Sequence, residues 1–255
     1  MAMQGAVAVA AAAGQGAYAG DIRALYGQDV FSRPQAAFAA VTEALEYFQQ
    51  TSAVFSPFAS KYDAFLRGAA RLSEPEARGL AVFNDPARGN CASCHKSAVT
   101  RDGKPPLFTD FGYAALGLPR NRAIPANGDP GYFDLGLCGP FRRDLTGEPE
   151  YCGLFKAPSL RNVALKLSFY HNGVVRTLRD AVAFYAERDT EPAKWYPAGA
   201  DGAVRKFDDL PAAFADNVEK GPPFGADRRL SGADVDDLVA FLQTLTDGYR
   251  FGREQ

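Results

Sequence analysis

Residues 90–96 read N-C-A-S-C-H-K, from Asn90 to Lys96, and this stretch decides the fold. Cys91 and Cys94 stand three apart with His95 immediately after, the spacing of covalent c-type haem attachment. Two thiols add across the vinyl groups of one porphyrin edge, and the adjacent imidazole then lies beneath the iron as its proximal ligand. A zinc reading needs a second pair of ligands at comparable spacing. Of the 4 cysteines only Cys138 and Cys152 remain, and of the 2 histidines only His171, so a Cys-rich zinc site is poorly supplied. A thioredoxin-like redox pair wants a strand and a helix around it, whereas these surroundings read as helix and loop.

On the amino side of the motif, Ser73 with Glu76 three residues on is a capping box, and the run to Phe83 presents Leu80, Ala81 and Phe83 to a core. Near the far end Ser231 caps a segment in which Val235, Leu238, Val239, Leu242 and Leu245 follow helical period, stopped by Gly248. A helix before the haem motif and one last in the chain are the pair that cross in a cytochrome c fold. The expected class is all-α, a cytochrome c-like haem domain. Residues 101–133 and 188–230 are long, Pro- and Gly-rich and irregular, and loops of that length are uncommon unless they line something. They are expected to wrap the haem. Residues 159–167 and 177–187 are the remaining helix candidates.

Upstream, Gly14 to Tyr26 is helix-compatible and Gly27 stops it. Pro34 opens a segment with Phe38, Val41, Ala44, Leu45 and Phe48 at spacings of three and four, and a shorter helix carries Tyr62, Phe65 and Leu66. None of these pieces offers a ligand. Residues 1–72 are therefore expected to form a helical linker or extension and residues 73–255 the cytochrome c-like domain.

At 255 residues with 47% hydrophobic content the chain has enough apolar material for a core. Its 28 basic and 30 acidic residues leave a net charge of −2, which argues against a nucleic-acid partner. Cys138 and Cys152 read equally as one disulfide or as two buried thiols. Haem is usually attached outside the cytoplasm, so export to a bacterial periplasm is expected. The amino end supplies only a weak signal, an apolar run from Ala6 to Ala13 with no Lys or Arg ahead of it. No stretch has the roughly 20 apolar residues of a membrane span.

The second axial position of the iron separates electron transfer from catalysis. Methionine, the usual partner in electron carriers, is nearly excluded, because the only examples are Met1 and Met3. His171, Tyr185, a lysine, water or no ligand remain. Tyr185 shares the apolar face of its helix with Leu178, Ala181 and Val182, which fits either a core tyrosine or a ligand. His171 lies in the turn-like F-Y-H-N-G, as either a ligand, a catalytic candidate or a hydrogen-bond partner of a propionate or the backbone. The residues alone do not separate the two.

Several stretches resemble the second haem domain of bacterial di-haem cytochrome c peroxidases and MauG-type enzymes: F-K-A-P-S-L-R-N-V-A from Phe155, F-Y-H-N-G, T-L-R-D-A-V-A-F-Y from Thr177, S-P-F-A-S-K-Y-D from Ser56 and L-F-T-D-F-G-Y-A-A-L-G-L-P-R-N from Leu107. The resemblance covers nearly the whole chain. It implies a distal ligand 14 residues after His171, methionine in the peroxidases and tyrosine in the MauG type. Here that residue is Tyr185.

Arg161 reads equally as a partner of a haem propionate or as an ordinary surface charge. By the same resemblance calcium between two haems would take the backbone carbonyls of Lys166 and Ser168. The resemblance also has departures. The family carries two haems and a tryptophan between them, whereas this chain has one C-x-x-C-H, and Trp195, its one tryptophan, lies in the tail loop. The chain is thus expected to be the carboxy-terminal half of a longer protein or to begin at an internal methionine. The implied function is the electron-relay half of a di-haem oxidoreductase using hydrogen peroxide, with a redox partner protein or a missing first haem domain. A stand-alone mono-haem electron carrier is the alternative, favoured by the single haem. A haem peroxidase in its own right comes last, since no distal His-Arg pair stands in helical register.

Overall fold

The computed structural model describes residues 5–227 and 229–250. The chain divides into two compact units, one ending at Pro57 and the other beginning at Phe58. This is earlier than the expected 72/73 boundary. The reason is the helix Lys61–Leu66 (α4 below), whose Tyr62 is buried in the core of the second unit.

The first unit holds α1 (Gly5–Gly14), α2 (Ala19–Tyr26) and α3 (Pro34–Thr51). The alanine run read as a weak export signal folds as α1. Helix α3 forms where its period predicts, but it buries Ala37 and Ala40 rather than the large stripe. Those alanines pack with Ala10 of α1 and with Val30. Phe38, Leu45 and Phe48 are exposed at 43%, 52% and 52%, so the small residues decided which side faces inward.

The second unit is built on α5 (Glu74–Asn84) and α8 (Gly232–Gln243), the expected crossing pair. Gly79 makes their approach possible. A Cβ there would lie 2.0 Å from the carbonyl oxygen of Asp237 and 2.8 Å from Phe241 Cβ. Ser73 donates its backbone N–H to Glu76, and Ser231 caps α8 through Asp234. On α5 the inward residues are Gly79, Val82 and Phe83, with Ala81 exposed against expectation. On α8 Val235, Leu238 and Leu242 are buried as periodicity predicts, joined by Phe241.

Four rings, Tyr62, Phe83, Phe108 and Phe241, meet at centroid distances from 5.1 to 6.3 Å, mostly edge to face, where such pairs add to the energy of burial. α6 (Leu178–Glu187) packs against α8, with Thr177 as its N-cap. The expected helix over 159–167 does not form. Asn162 adopts a left-handed backbone with φ 58°, and only a 3-10 turn, Val163–Leu165, follows. The region between the helices is irregular apart from the short α7 (Pro192–Trp195), 3-10 turns and a two-residue antiparallel pair, β1 (Tyr113–Ala114) with β2 (Phe155–Lys156). Cys138 and Cys152 are joined as a disulfide.

Arg161 is turned away from both expected roles. Its Nη1 and Nη2 donate to Asp63 at 2.9 and 2.8 Å, and its Nε donates to the Pro106 carbonyl at 2.9 Å. It is neither a surface charge nor among the residues lining the cavity described below. Asp63 is 1% exposed. Its burial disfavours the charge, but hydrogen bonds from Arg161 and Ser60 outweigh that and hold its carboxyl below the ordinary range.

Gly79→Ala is expected to destabilise the protein, although an alanine in a helix interior normally gains about 1 kcal/mol over glycine; chemical denaturation reads the sign. Asp63→Asn is expected to cost about 3–5 kcal/mol at neutral pH, because it leaves Arg161 buried and uncompensated. The wild type gains from Asp63 above the ordinary carboxylate range and loses that gain as pH falls below about 4. Melting temperatures across pH should show this acid loss shrink in Asp63→Asn.

Candidate functional site

Between α5, α6, α8 and the loops lies a cavity of about 800 Å³ with mostly apolar walls. Ligand pockets run to about 300–1,000 Å³, so it suits a large flat group. Cys91, Cys94 and His95 all line it, as do Leu178, Ala181, Val182 and Tyr185 from one face of α6. Both long irregular stretches supply wall, the first through residues 110–118 and the second through Asp209, Leu210, Glu219 and Pro222–Phe224.

The motif's turn is local in origin. Asn90 takes a left-handed backbone, φ 49°, and Cys91–Ser93 then forms a 3-10 turn in which the His95 N–H donates to the Cys91 carbonyl at 2.8 Å. Both sulfurs are free thiols. Burial pushes the Cys91 thiol up to about 12, so it is protonated at neutral pH.

His95 Nδ1 lies 2.8 Å from the carbonyl oxygen of Phe108. A carbonyl only accepts, so Nδ1 carries the proton and Nε2 keeps its lone pair, the tautomer a metal-ligating histidine needs. Burial also lowers the imidazole pKa against the opposing pull of that carbonyl, which favours the neutral ring. Phe108 itself is 0% exposed, with its ring in the aromatic core and its backbone left-handed at φ 53°. Ser159 Oγ donates to the Leu107 carbonyl, and Arg161 holds that of Pro106, so both brace the segment that aims Phe108 at His95.

Three tyrosines line the cavity, and one of them, Tyr113, is 45% exposed. Tyr170 donates its hydroxyl to the Ala181 carbonyl at 2.7 Å, whereas no such bond ties the Tyr185 hydroxyl among the described residues. Burial, then the neighbouring Cys91 and Cys94, push the Tyr185 phenol well above its ordinary value. Only a bound cation would make its phenolate favourable there.

His171 also reaches the cavity wall. Its ring lies parallel to Phe155 at 3.4 Å between centroids, and its Nε2 is 3.7 Å from Asp209. Trp195 packs edge to face on Phe184 at 5.3 Å. Lys166 and Ser168 lie on an exposed stretch beside the cavity. Two carbonyls fall short of the roughly six to eight oxygens calcium takes. No group of three or more His, Cys, Asp or Glu side chains poised for a metal occurs among the described residues. Calcium would need further oxygen donors, which the resemblance places in the other haem domain.

The chain is 43% identical to the diheme peroxidase BthA from Burkholderia thailandensis, with a TM-score of 0.83 over 95% of this chain and 59% of that one. It is 36% identical to methylamine utilization protein MauG of Paracoccus denitrificans over 91% of this chain and 57% of that protein. It belongs to the MauG and di-haem cytochrome c peroxidase family. Cytochrome c551 peroxidase of Pseudomonas aeruginosa is a more distant relative, 31% identical over 49% of this chain. No protein-family model matches. The chain spans somewhat more than half the length of BthA and of MauG.

The family assignment and the donor set agree on haem c. Two thiols, a neutral imidazole and a large apolar cavity are what that group requires. Sequence reasoning missed Phe155, Tyr170, Leu116 to Leu118 and Phe224 as walls. They sit in loops, turns or, for Phe155, a two-residue strand, with no period to mark an inward side.

Cys91→Ala or Cys94→Ala is expected to leave one thioether and shift the reduced haemochrome band toward the single-vinyl position. The double variant is expected to lose all haem that survives a denaturing gel.

Proposed function

We propose that this chain is the electron-relay part of a di-haem oxidoreductase that uses hydrogen peroxide, carrying one haem c with His95 and Tyr185 as axial ligands. The observation that carries it is the cavity itself, which Cys91, Cys94 and His95 line from one turn and Tyr185 lines from α6. Bound haem would supply one-electron chemistry. The chain's residues do the rest. Cys91 and Cys94 tether the ring, and Phe108 fixes the imidazole of His95. Leu178, Ala181 and Val182 wall the cavity beside Tyr185 and exclude water. A hard anionic oxygen from Tyr185 favours ferric and higher iron and lowers the potential, which suits a centre that holds an oxidising equivalent for a partner.

The peroxide-reacting partner is a first haem domain or another redox protein. A periplasmic location follows from haem attachment outside the cytoplasm. No helix among the described residues is long and apolar enough to cross a membrane.

The haem-loaded chain is expected to show six-coordinate ferric iron with a phenolate charge-transfer band. Tyr185→Phe should abolish that band and raise the reduction potential. Five-coordinate iron in the wild type, with rapid peroxide turnover by this chain alone, would overturn the reading in favour of a single-haem peroxidase.

A further inference from the structure

Behind Tyr185 stands a buried cation that no sequence pattern marked. Arg188 follows it by three residues, at the end of α6, and is 2% exposed. An arginine buried this deeply needs partners for its N–H groups. Nε and Nη2 donate to Asp189 Oδ2 at 3.2 and 2.7 Å, Nη1 to the Leu116 carbonyl at 3.1 Å, and Nη2 also to the Glu219 carbonyl at 2.8 Å. Asp189 in turn accepts from the Gly225 N–H at 3.0 Å and from Lys206.

The Arg188–Asp189 pair therefore grips one loop at two backbone points, Glu219 and Gly225. Phe224 lies between them. Gly225 has φ 120°, a conformation side chains rarely adopt, so the turn after Phe224 depends on glycine. The guanidinium carbon of Arg188 lies 3.5 Å from the Phe224 ring centroid, and Phe224 stacks on Tyr185 at 5.3 Å and 26°. Tyr170 and Phe184 meet Tyr185 at 6.2 and 6.4 Å at steeper angles. Among the described residues Phe224 is thus the one ring stacked near-parallel on the phenol.

We propose that Arg188, acting through Phe224, is a positioning residue for Tyr185: it clamps residues 219–225 so that Phe224 holds the phenol plane and keeps its oxygen presented to the cavity. The inference rests on the reading of Tyr185 as an axial ligand and deepens it by naming what holds that ligand in place. Without the stack the ring gains freedom to turn, and an incoming ligand displaces it more easily.

The test uses the full chain loaded with haem, reading the phenolate charge-transfer band and the affinity of ferric iron for added imidazole. Phe224→Leu keeps apolar volume but removes the flat wall, and Arg188→Gln removes the charge and part of the clamp. Both are expected to weaken the band and tighten imidazole binding by about tenfold, the scale of one lost rotamer preference. Haem content and circular dichroism should match the wild type. If Arg188→Gln fails to fold, Phe224→Leu with Gly225→Ala, which disturbs the same turn, carries the test. If Tyr185→Phe abolishes the band while the other variants keep wild-type band and imidazole affinity, the positioning role is overturned and the ligand reading survives. If Tyr185→Phe changes nothing, the ligand reading fails and this inference with it.

Discussion

The hydrogen bond from His95 to the Phe108 carbonyl is the link on which the site depends. Phe108 belongs to two parts of the molecule at once. Its ring is locked among Tyr62, Phe83 and Phe241, and its carbonyl sets the tautomer and plane of the imidazole. The core that the α5 and α8 crossing creates is therefore also what aims the proximal ligand. Asp63, Arg161 and Ser159 extend the same bracing into the chain on either side. Arg161 acts here from outside the cavity lining, on Asp63 and the Pro106 carbonyl.

A second consequence concerns the loops. A large flat apolar group has to be enclosed from several directions, and two helices cannot do that alone. Irregular backbone supplies the remaining wall, and side chains from distant segments bond its polar groups. Asn172 shows how: its Nδ2 bonds the Pro119 carbonyl and Asp209, tying the two long irregular stretches to the F-Y-H-N-G turn. Arg188 and Asp189 do the same near the end of α6. Buried charge in this protein therefore organises loops around an apolar space, while the helices rely on ring packing and a glycine contact.

Much of the frame was legible because helical period and capping are local properties. α5, α6 and α8, and the inward face of α6 bearing Tyr185, follow from spacing of three and four with Ser or Thr ahead. Local signals failed where a neighbour or one backbone angle decided the outcome. Residues 159–167 carry helical residues, yet a left-handed Asn162 turns them into a short 3-10 turn that leaves Leu165 and Leu167 exposed. The large stripe of α3 gave way to alanines because close approach to α1 requires small side chains. Helix α4 joined the second unit because Tyr62 completes its aromatic cluster. Phe224 and Arg188 lie in or beside a stretch without period, and nothing local distinguishes their inward side.

What the sequence by itself determined is the chemistry of attachment. Two thiols three apart with a following histidine specify a tethered haem whatever surrounds them, because that geometry is set within one turn of backbone. What only the tertiary structure decided is how that chemistry is held: which carbonyl orients His95, which hydroxyl is left unbonded in the cavity, and where Arg161 sends its charge. Those outcomes depend on contacts between residues from 13 to 98 positions apart, and such contacts exist only once the core has closed.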